Sequence, residues 1–195
     1  MIKIGLTGII GSGKSTVSKI FETLQIPVYY SDLRASELIN TNQYIIDSLK
    51  NKYGKTIYID GTLNKPLLSS IIFNDNDERK FVNSVVHPIV INDFIFWSQN
   101  QKAKIAAIES ALIYETSLKT ILTNIIEVRS PRKLLIERII KRDKISKTEA
   151  LKKINSQKAL FTNEKPDFVI INDEKKSVIL QTQRILTKIG HNEVW

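Results

Sequence analysis

The sequence predicts an α/β fold, a three-layer core on a parallel sheet of about five strands. Three observations carry this. Short apolar runs recur at 2–7, 28–31, 104–109, 124–128 and 167–171. Stretches with helical spacing of apolar residues lie between them. The first run empties into a glycine-rich turn that leads directly into such a stretch. Strands alternating with helices form parallel sheets, because each crossover helix buries its apolar stripe against a sheet face.

The elements follow in order. Residues 2–7 read as a buried strand and Gly8 to Gly13 as the loop. Residues 14–24 are helical, through Val17, Ile20, Phe21 and Leu24. Pro27 separates this helix from a second strand at 28–31. A long insertion without an obvious strand follows, helical near 33–40, 44–53, 65–73 and about 77–99. Asp60-Gly61 marks a turn within it. His87-Pro88 should interrupt the last helix, since proline removes a helical donor and restricts the residue before it. The third strand, 104–109, ends in Glu109, and 124–128 is the fourth. Ser130-Pro131 should open a helix, with serine capping and proline in the first turn. Ser146-Lys147-Thr148-Glu149 has the spacing of a capping box and should start another. A fifth strand at 167–171 and a closing helix at 175–189 complete the chain.

Length and composition narrow the function. With 195 residues the chain has room for one domain with a substantial core. Hydrophobic residues at 42% and charged residues at 25% suit a globular protein. No apolar run approaches the ~20 residues of a membrane span, and Met1-Ile2-Lys3-Ile4-Gly5 lacks the features of a secretion signal. The absence of cysteine excludes disulfides and thiolate metal sites and suits a cytoplasmic protein. His87 and His191 are too few for a histidine-rich metal cluster. The net charge of +9 is uneven: residues 129–158 hold 11 Lys/Arg against three acids. Such a segment is either a solvated helix face or a site for phosphates or a nucleic-acid backbone.

Gly8-Ile9-Ile10-Gly11-Ser12-Gly13-Lys14-Ser15 fits G-x-x-x-x-G-K-[ST] at every fixed position. Glycines let backbone N–H groups turn inward around phosphates, and the helix beginning at Gly13-Lys14 adds its donors and dipole. Lys14 is placed to reach the β- and γ-phosphates, Ser15 to bind Mg²⁺ and Thr16 to contact the α-phosphate. The motif follows a strand and precedes a helix, as a nucleoside triphosphate site requires. It does not specify the acceptor.

Phosphoryl transfer to an alcohol needs positioning, charge neutralisation and a carboxylate that can take the hydroxyl proton. Asp32 lies just past the second strand, at the carboxyl edge where open α/β sheets bind ligands. It is either that base or the N-cap of the next helix. Glu109, on the same edge, either holds Mg²⁺ through water, orients Asp32, or is a strand-terminal surface acid. Arg138 and Arg142 share a helix face and, with Lys141 and Lys144, could cover the transferring phosphate. Asp143 would pair with one of these cations and withdraw it from that role.

These residues also carry a family resemblance over nearly the whole chain. The start from Ile4 to Thr16, then Asp60-Gly61-Thr62-Leu63, then Ile72-Phe73, then Asn83-Ser84-Val85-Val86-His87-Pro88, resemble the bacterial dephospho-coenzyme A kinases in this order. Ser110-Ala111-Leu112-Ile113-Tyr114-Glu115, Arg138-Ile139-Ile140-Lys141-Arg142-Asp143, Gln157 and Asp167-Phe168-Val169-Ile170-Ile171-Asn172 resemble its later elements.

The resemblance implies a P-loop kinase fold, ATP as donor, Mg²⁺, and the ribose 3′-hydroxyl of dephospho-coenzyme A as acceptor. Asp32 matches the catalytic aspartate, Thr7 and His87 the acceptor pocket, Arg138 and Arg142 the lid over ATP, and Asn172 the adenine contact. It implies a core at about 1–33, 101–130 and 161–195, an acceptor-binding helical insertion at about 34–100, and a small lid at about 131–160. A cytoplasmic monomer is expected, without nucleic-acid or membrane partners. Tyr30 stands where the family has another acid, Ala111 replaces a proline, and Ile10 and its neighbours vary the glycine loop. The stretch from Gln157 to Asp167 is one residue shorter, with Phe161-Thr162-Asn163 where acids are common. The rival readings are a kinase of nucleosides or their monophosphates, and a nucleotide-binding protein that docks on nucleic acid through 129–158.

Overall fold

The computed structural model of the chain describes residues 1–158, 161 and 164–190. Thr162, Asn163 and His191, singled out above, lie outside the described residues. In chain order the elements are β1 (Ile2–Thr7), α1 (Lys14–Thr23), β2 (Val28–Tyr30), α2 (Ser31–Thr41), α3 (Gln43–Tyr53), β3 (Tyr58–Ile59), β4 (Thr62–Leu63), α4 (Lys65–Asn74), α5 (Asn76–Gln99), β5 (Ile105–Glu109), α6 (Leu118–Ile121), β6 (Asn124–Arg129), α7 (Arg132–Asp143), α8 (Lys147–Lys158), β7 (Phe168–Ile171) and α9 (Val178–Ile189). They form two compact units, one of 1–29 with the described residues from 100 onward, the other of 30–99.

The first unit is built on a five-stranded parallel sheet in the order β2-β5-β1-β6-β7. All five predicted strands are present, with ends shifted by a residue or so. Strand alternation decides what each face carries. Ile4 and Leu6 of β1 and Ile126 and Val128 of β6 pack with Val17 and Phe21 of α1 and Ile185 and Leu186 of α9. Each such side chain, fully buried, contributes about 1.5–3 kcal/mol. Gly5, Thr7 and Glu127 therefore point to the opposite face; Thr7 is the register partner of Glu127. A Cβ on Gly5 would lie 2.6 Å from Leu122 and 2.7 Å from Ile113, so the glycine lets that layer close on the sheet.

α7 and α8 form a hairpin whose seam is Leu135 and Ile139 against Ala150 and Ile154, with Ile9 and Ile10 of the glycine loop packed on it. The predicted capping box at Ser146 forms. Glu149 N–H donates to Ser146 Oγ at 3.2 Å, and Ser146 N–H donates to Glu149 Oε2 at 2.9 Å. Ser130 does not cap α7, which begins at Arg132 with Pro131 before it. Its hydroxyl is drawn instead to main-chain carbonyls described below. α9 begins at Val178 rather than 175, because the Asp173 carboxylate accepts the Lys175 and Lys176 N–H groups in a turn and Ser177 then caps the helix.

In the second unit α2, α3 and α4 pack on α5, with Ile45, Leu49, Val82 and Val85 buried. Two features differ from expectation. α5 runs unbroken through Pro88. Proline removes one helical hydrogen bond and costs roughly 3 kcal/mol, while buried Val82, Val85, Val86 and Val90 hold the helix on both sides of it. The insertion also contains a strand pair, β3 against β4. Asp60 and Gly61 form its turn with φ of 48° and 77°, the positive pair that a tight hairpin turn demands.

Candidate active site

β1 delivers the chain to the glycine loop at the carboxyl edge of the sheet. Gly8 (φ 147°) lies so close to β6 that a Cβ would strike the Val128 carbonyl oxygen. Gly13 (φ 97°) holds the position before α1, and a Cβ there would strike the Asn172 side-chain amide. The loop thus needs glycine for conformation and for close approach. Lys14 opens α1 and donates from Nζ to the Gly8 carbonyl at 2.9 Å, which holds its ammonium at the loop. Ser15 and Thr16 are exposed in the first turn.

Behind the loop, Asn172 follows β7 and donates from Nδ2 to the Ser12 carbonyl at 2.9 Å. Ser130 Oγ lies 2.9 Å from that carbonyl and 2.7 Å from the Asn172 carbonyl, with one proton to offer between them. Arg138 donates to Ser130 Oγ at 3.0 Å, to Asn172 Oδ1 at 3.3 Å and to Glu174 Oε1 at 3.1 Å, and reaches the Gly11 carbonyl at 3.4 Å. Gly11, Ser12, Gly13, Arg138 and Asn172 are therefore one hydrogen-bonded or packed cluster. The fixed fork of arginine suits this many-partnered role.

Arg142 is not in that cluster. It makes a bidentate pair with Asp143 at 2.7 and 3.2 Å, and Lys153 of α8 holds the same carboxylate at 2.8 Å. These two cations keep the Asp143 carboxyl well below the usual carboxylate range. Of Arg138 and Arg142, Arg142 is the one Asp143 engages.

Glu109, at the end of β5, accepts from Ser18 Oγ at 2.7 Å. Ser18 is buried on α1, three residues from Ser15 and so on the same side of the helix. The carboxylate is thus anchored to the helix that begins the phosphate site. Thr7 ends β1 fully buried, and its Oγ1 finds no hydrogen-bond partner among the described residues.

Asp32 and His87 belong to the second unit. Asp32 is exposed in the first turn of α2. The helix begins at Ser31 with Tyr30 in the cap position, so Asp32 is not an N-cap. His87, on α5, is half-buried, and burial pushes its pKa below the usual histidine value.

Four residues of the first unit were not foreseen in these roles: Ser130, Ser18, Glu174, and Gln157, whose side-chain oxygen accepts the Ile10 N–H of the loop. Only Gln157 had a signal, its place in the resemblance. No group of three or more His, Asp or Glu side chains able to hold a metal occurs among the described residues. No helix among them is long and apolar enough to cross a membrane.

Comparison with known proteins shows the family and the fold. The dephospho-CoA kinase family model matches residues 2–177. A dephospho-CoA kinase of Bacteroides fragilis is 35% identical over 187 residues, covering 95% of this chain and 91% of that protein. The Porphyromonas gingivalis enzyme of the same name is 34% identical over 191 residues, covering 97% and 95%. A crystal structure of a Thermus thermophilus protein superposes with a TM-score of 0.82 at 22% identity, covering 97% of both chains. The dephospho-CoA kinase of Campylobacter jejuni gives 0.60 at 21%, covering 96% of each.

Proposed function

The chain belongs to the dephospho-CoA kinase family, and on that premise we propose that it transfers the γ-phosphoryl group of ATP to the ribose 3′-hydroxyl of dephospho-coenzyme A. The products are coenzyme A and ADP, in the last step of coenzyme A biosynthesis. The observation that carries the reading is the phosphate cradle: three positive-φ glycines, the α1 N-terminus and Lys14 held at the loop.

The residues divide the work by position. Gly11, Gly13 and Lys14 offer main-chain N–H groups to the phosphates, Ser12 closes the loop by donating its own N–H to the Ile9 carbonyl at 3.0 Å, and the α1 N-terminus adds its dipole. Lys14 neutralises charge on the β- and γ-phosphates, and Thr16 contacts the α-phosphate. Asn172 borders the adenine, with Arg138 braced beside it. Arg138 also reaches the loop at the Gly11 carbonyl and stabilises charge on the transferring group; Arg142 acts in the lid, with Asp143 fixing its plane. Asp32 takes the proton of the attacking hydroxyl, and its exposure leaves the carboxylate accessible. Thr7 and His87 contact the acceptor, and the helices of 34–100 bind it. The hairpin of α7 and α8 is the lid, which excludes water during transfer.

Ser15 and Glu109 fit Mg²⁺. Ser15 offers an exposed hydroxyl at the first turn of α1, and Glu109 is fixed to the same side of that helix by Ser18. This sparse donor set matches a metal that keeps waters and phosphate oxygens as its other ligands. When bound, Mg²⁺ would neutralise charge on the β- and γ-phosphate oxygens.

The test is ADP release from Mg-ATP with and without dephospho-coenzyme A, with the product identified by mass. A stimulated rate with one phosphoryl group added is expected. Protein that binds ATP but shows no stimulation would refute the acceptor assignment and favour a nucleoside or nucleoside monophosphate.

A further inference from the structure

A cavity of about 510 Å³ opens beside the phosphate loop, lined among others by Ile9, Ser12, Glu127, Arg129, Phe161 and Glu164. It lies wholly within the sheet unit, and its volume is in the range of small-molecule sites, about 300–1,000 Å³. Glu127 is a carboxylate only 4% exposed. It is held by Arg129 in a bidentate pair at 2.7 and 3.0 Å, which uses one lone pair on each oxygen. Each oxygen keeps a second acceptor direction, and the guanidinium keeps donors beyond the pair. The Ser12 hydroxyl is buried and has no hydrogen-bond partner among the described residues.

The charges decide what kind of group fits. Both carboxylates that line the cavity are paired, Glu127 with Arg129 and Glu164 with Lys119 at 3.2 Å, so its cations are already compensated. A phosphate would find no uncompensated cation in this lining. A neutral group bearing N–H or O–H donors would meet acceptors. The walls are flat or apolar: Ile9, Leu135 and the Phe161 ring, which meets Tyr114 edge-on at 5.6 Å between centroids. Flat, uncharged and donor-bearing describes a nucleoside without its phosphates.

The choice between the two nucleotides follows from the sheet. Glu127 points to the face away from α1, and its register partner is Thr7, the residue expected at the acceptor. The expected adenine contact for ATP, Asn172, packs on Gly13 at the start of α1; it is bonded to Ser12 and Ser130 of the lining but does not itself line the cavity. We propose that this cavity seats the nucleoside portion of the phosphoryl acceptor, with the Glu127–Arg129 pair reading its hydrogen-bonding edge and Phe161 lying against its plane. The proposal rests on the acceptor being a nucleotide, as the kinase reading holds.

Steady-state kinetics on the full chain test it with two unlike variants. Glu127→Gln alters the hydrogen-bonding edge, and Phe161→Ala removes an apolar wall. Each should raise KM for dephospho-coenzyme A about tenfold, the usual scale for losing a paired polar contact or a stacking surface, and leave KM for ATP within about twofold. An unchanged acceptor KM in Phe161→Ala, or a rise in KM for ATP instead, overturns the proposal; the Phe161 arm stands even if Glu127→Gln fails to fold. Wild-type protein without acceptor-stimulated ADP release would signal failure of the kinase reading. Calorimetric titration of adenosine into protein saturated with a non-hydrolysable ATP analogue then probes the cavity directly. Binding by wild type that weakens in Phe161→Ala supports the site, and no binding by wild type overturns it.

Discussion

The side-chain oxygen of Gln157, on α8, accepts the main-chain N–H of Ile10 at 2.7 Å. The bond joins the α7–α8 hairpin to the middle of the glycine loop across 147 residues of sequence. Because the donor is a backbone N–H, the carboxamide must present its oxygen, and its NH₂ turns elsewhere. Were α8 to withdraw, as the proposed lid role requires, the Ile10 N–H would lose this acceptor.

Gln157→Ala should free that N–H permanently. The expected cost is about 1 kcal/mol of local stability, read as severalfold faster hydrogen exchange in the peptide containing Ile10. KM for ATP should rise with it. Exchange identical to wild type would show that the bond does not hold the loop.

Gly13→Ala tests the close approach on the other side of the loop. The new methyl would meet the Asn172 amide, in a backbone conformation with φ of 97° that alanine rarely adopts. Strain of this kind costs of order 1–3 kcal/mol. The variant should melt several degrees lower and lose ATP binding by calorimetry. Adding Asn172→Ala should restore part of the melting temperature, since it removes the collision, but not the ATP affinity.

Arg138 and Arg142 look equivalent in the sequence, four residues apart on one helix, but their surroundings separate them. Arg138→Ala removes a brace shared by Gly11, Ser130, Asn172 and Glu174. Arg142→Ala removes one partner of Asp143, which keeps Lys153. Arg138→Ala should therefore lower both thermal stability and kcat, whereas Arg142→Ala should leave the melting temperature within a degree or two. Equal melting losses would contradict this assignment.

The contrast shows where sequence reasoning stops. The glycine motif was legible because its spacing encodes local geometry: a strand end, a turn and a helix start within a dozen residues. The same holds for the capping box at Ser146 and the turn at Asp60-Gly61, although the latter's two-residue strands are too short to show alternation. Ser130 was misread because its dipeptide with Pro131 has the local form of a helix cap. Its actual partners, Ser12 and Asn172, are 118 and 42 residues away. Pro88 was misread because local propensity omits the buried valines that hold α5 together. Glu127 gave no signal, since a charge in an apolar strand becomes informative only when its neighbours are known.

Lys14→Ala and Asp32→Asn should separate binding from chemistry. Lys14→Ala withdraws the cation from the β- and γ-phosphates and should abolish turnover. Asp32→Asn keeps the shape and removes the proton acceptor, so kcat should fall about 10²–10⁴-fold while the dissociation constant for ATP changes little. Near-normal kcat in Asp32→Asn would remove this residue from the mechanism.

His87 supplies a prediction about pH. Burial lowers its pKa from the ordinary 6.5. As pH falls through that value the unfolded chain takes up a proton while the folded chain resists it. The unfolded state then binds more protons, so stability is complete above the ordinary value and declines as the solution becomes more acidic. The slope for one such group approaches about 1.4 kcal/mol per pH unit and ends once the folded histidine also protonates. Urea denaturation at pH 7.5 and 5.5 should show a larger loss on acidification for wild type than for His87→Gln, since acids titrating elsewhere contribute equally to both. Parallel losses would place His87 in contact with solvent rather than inside α5's packing.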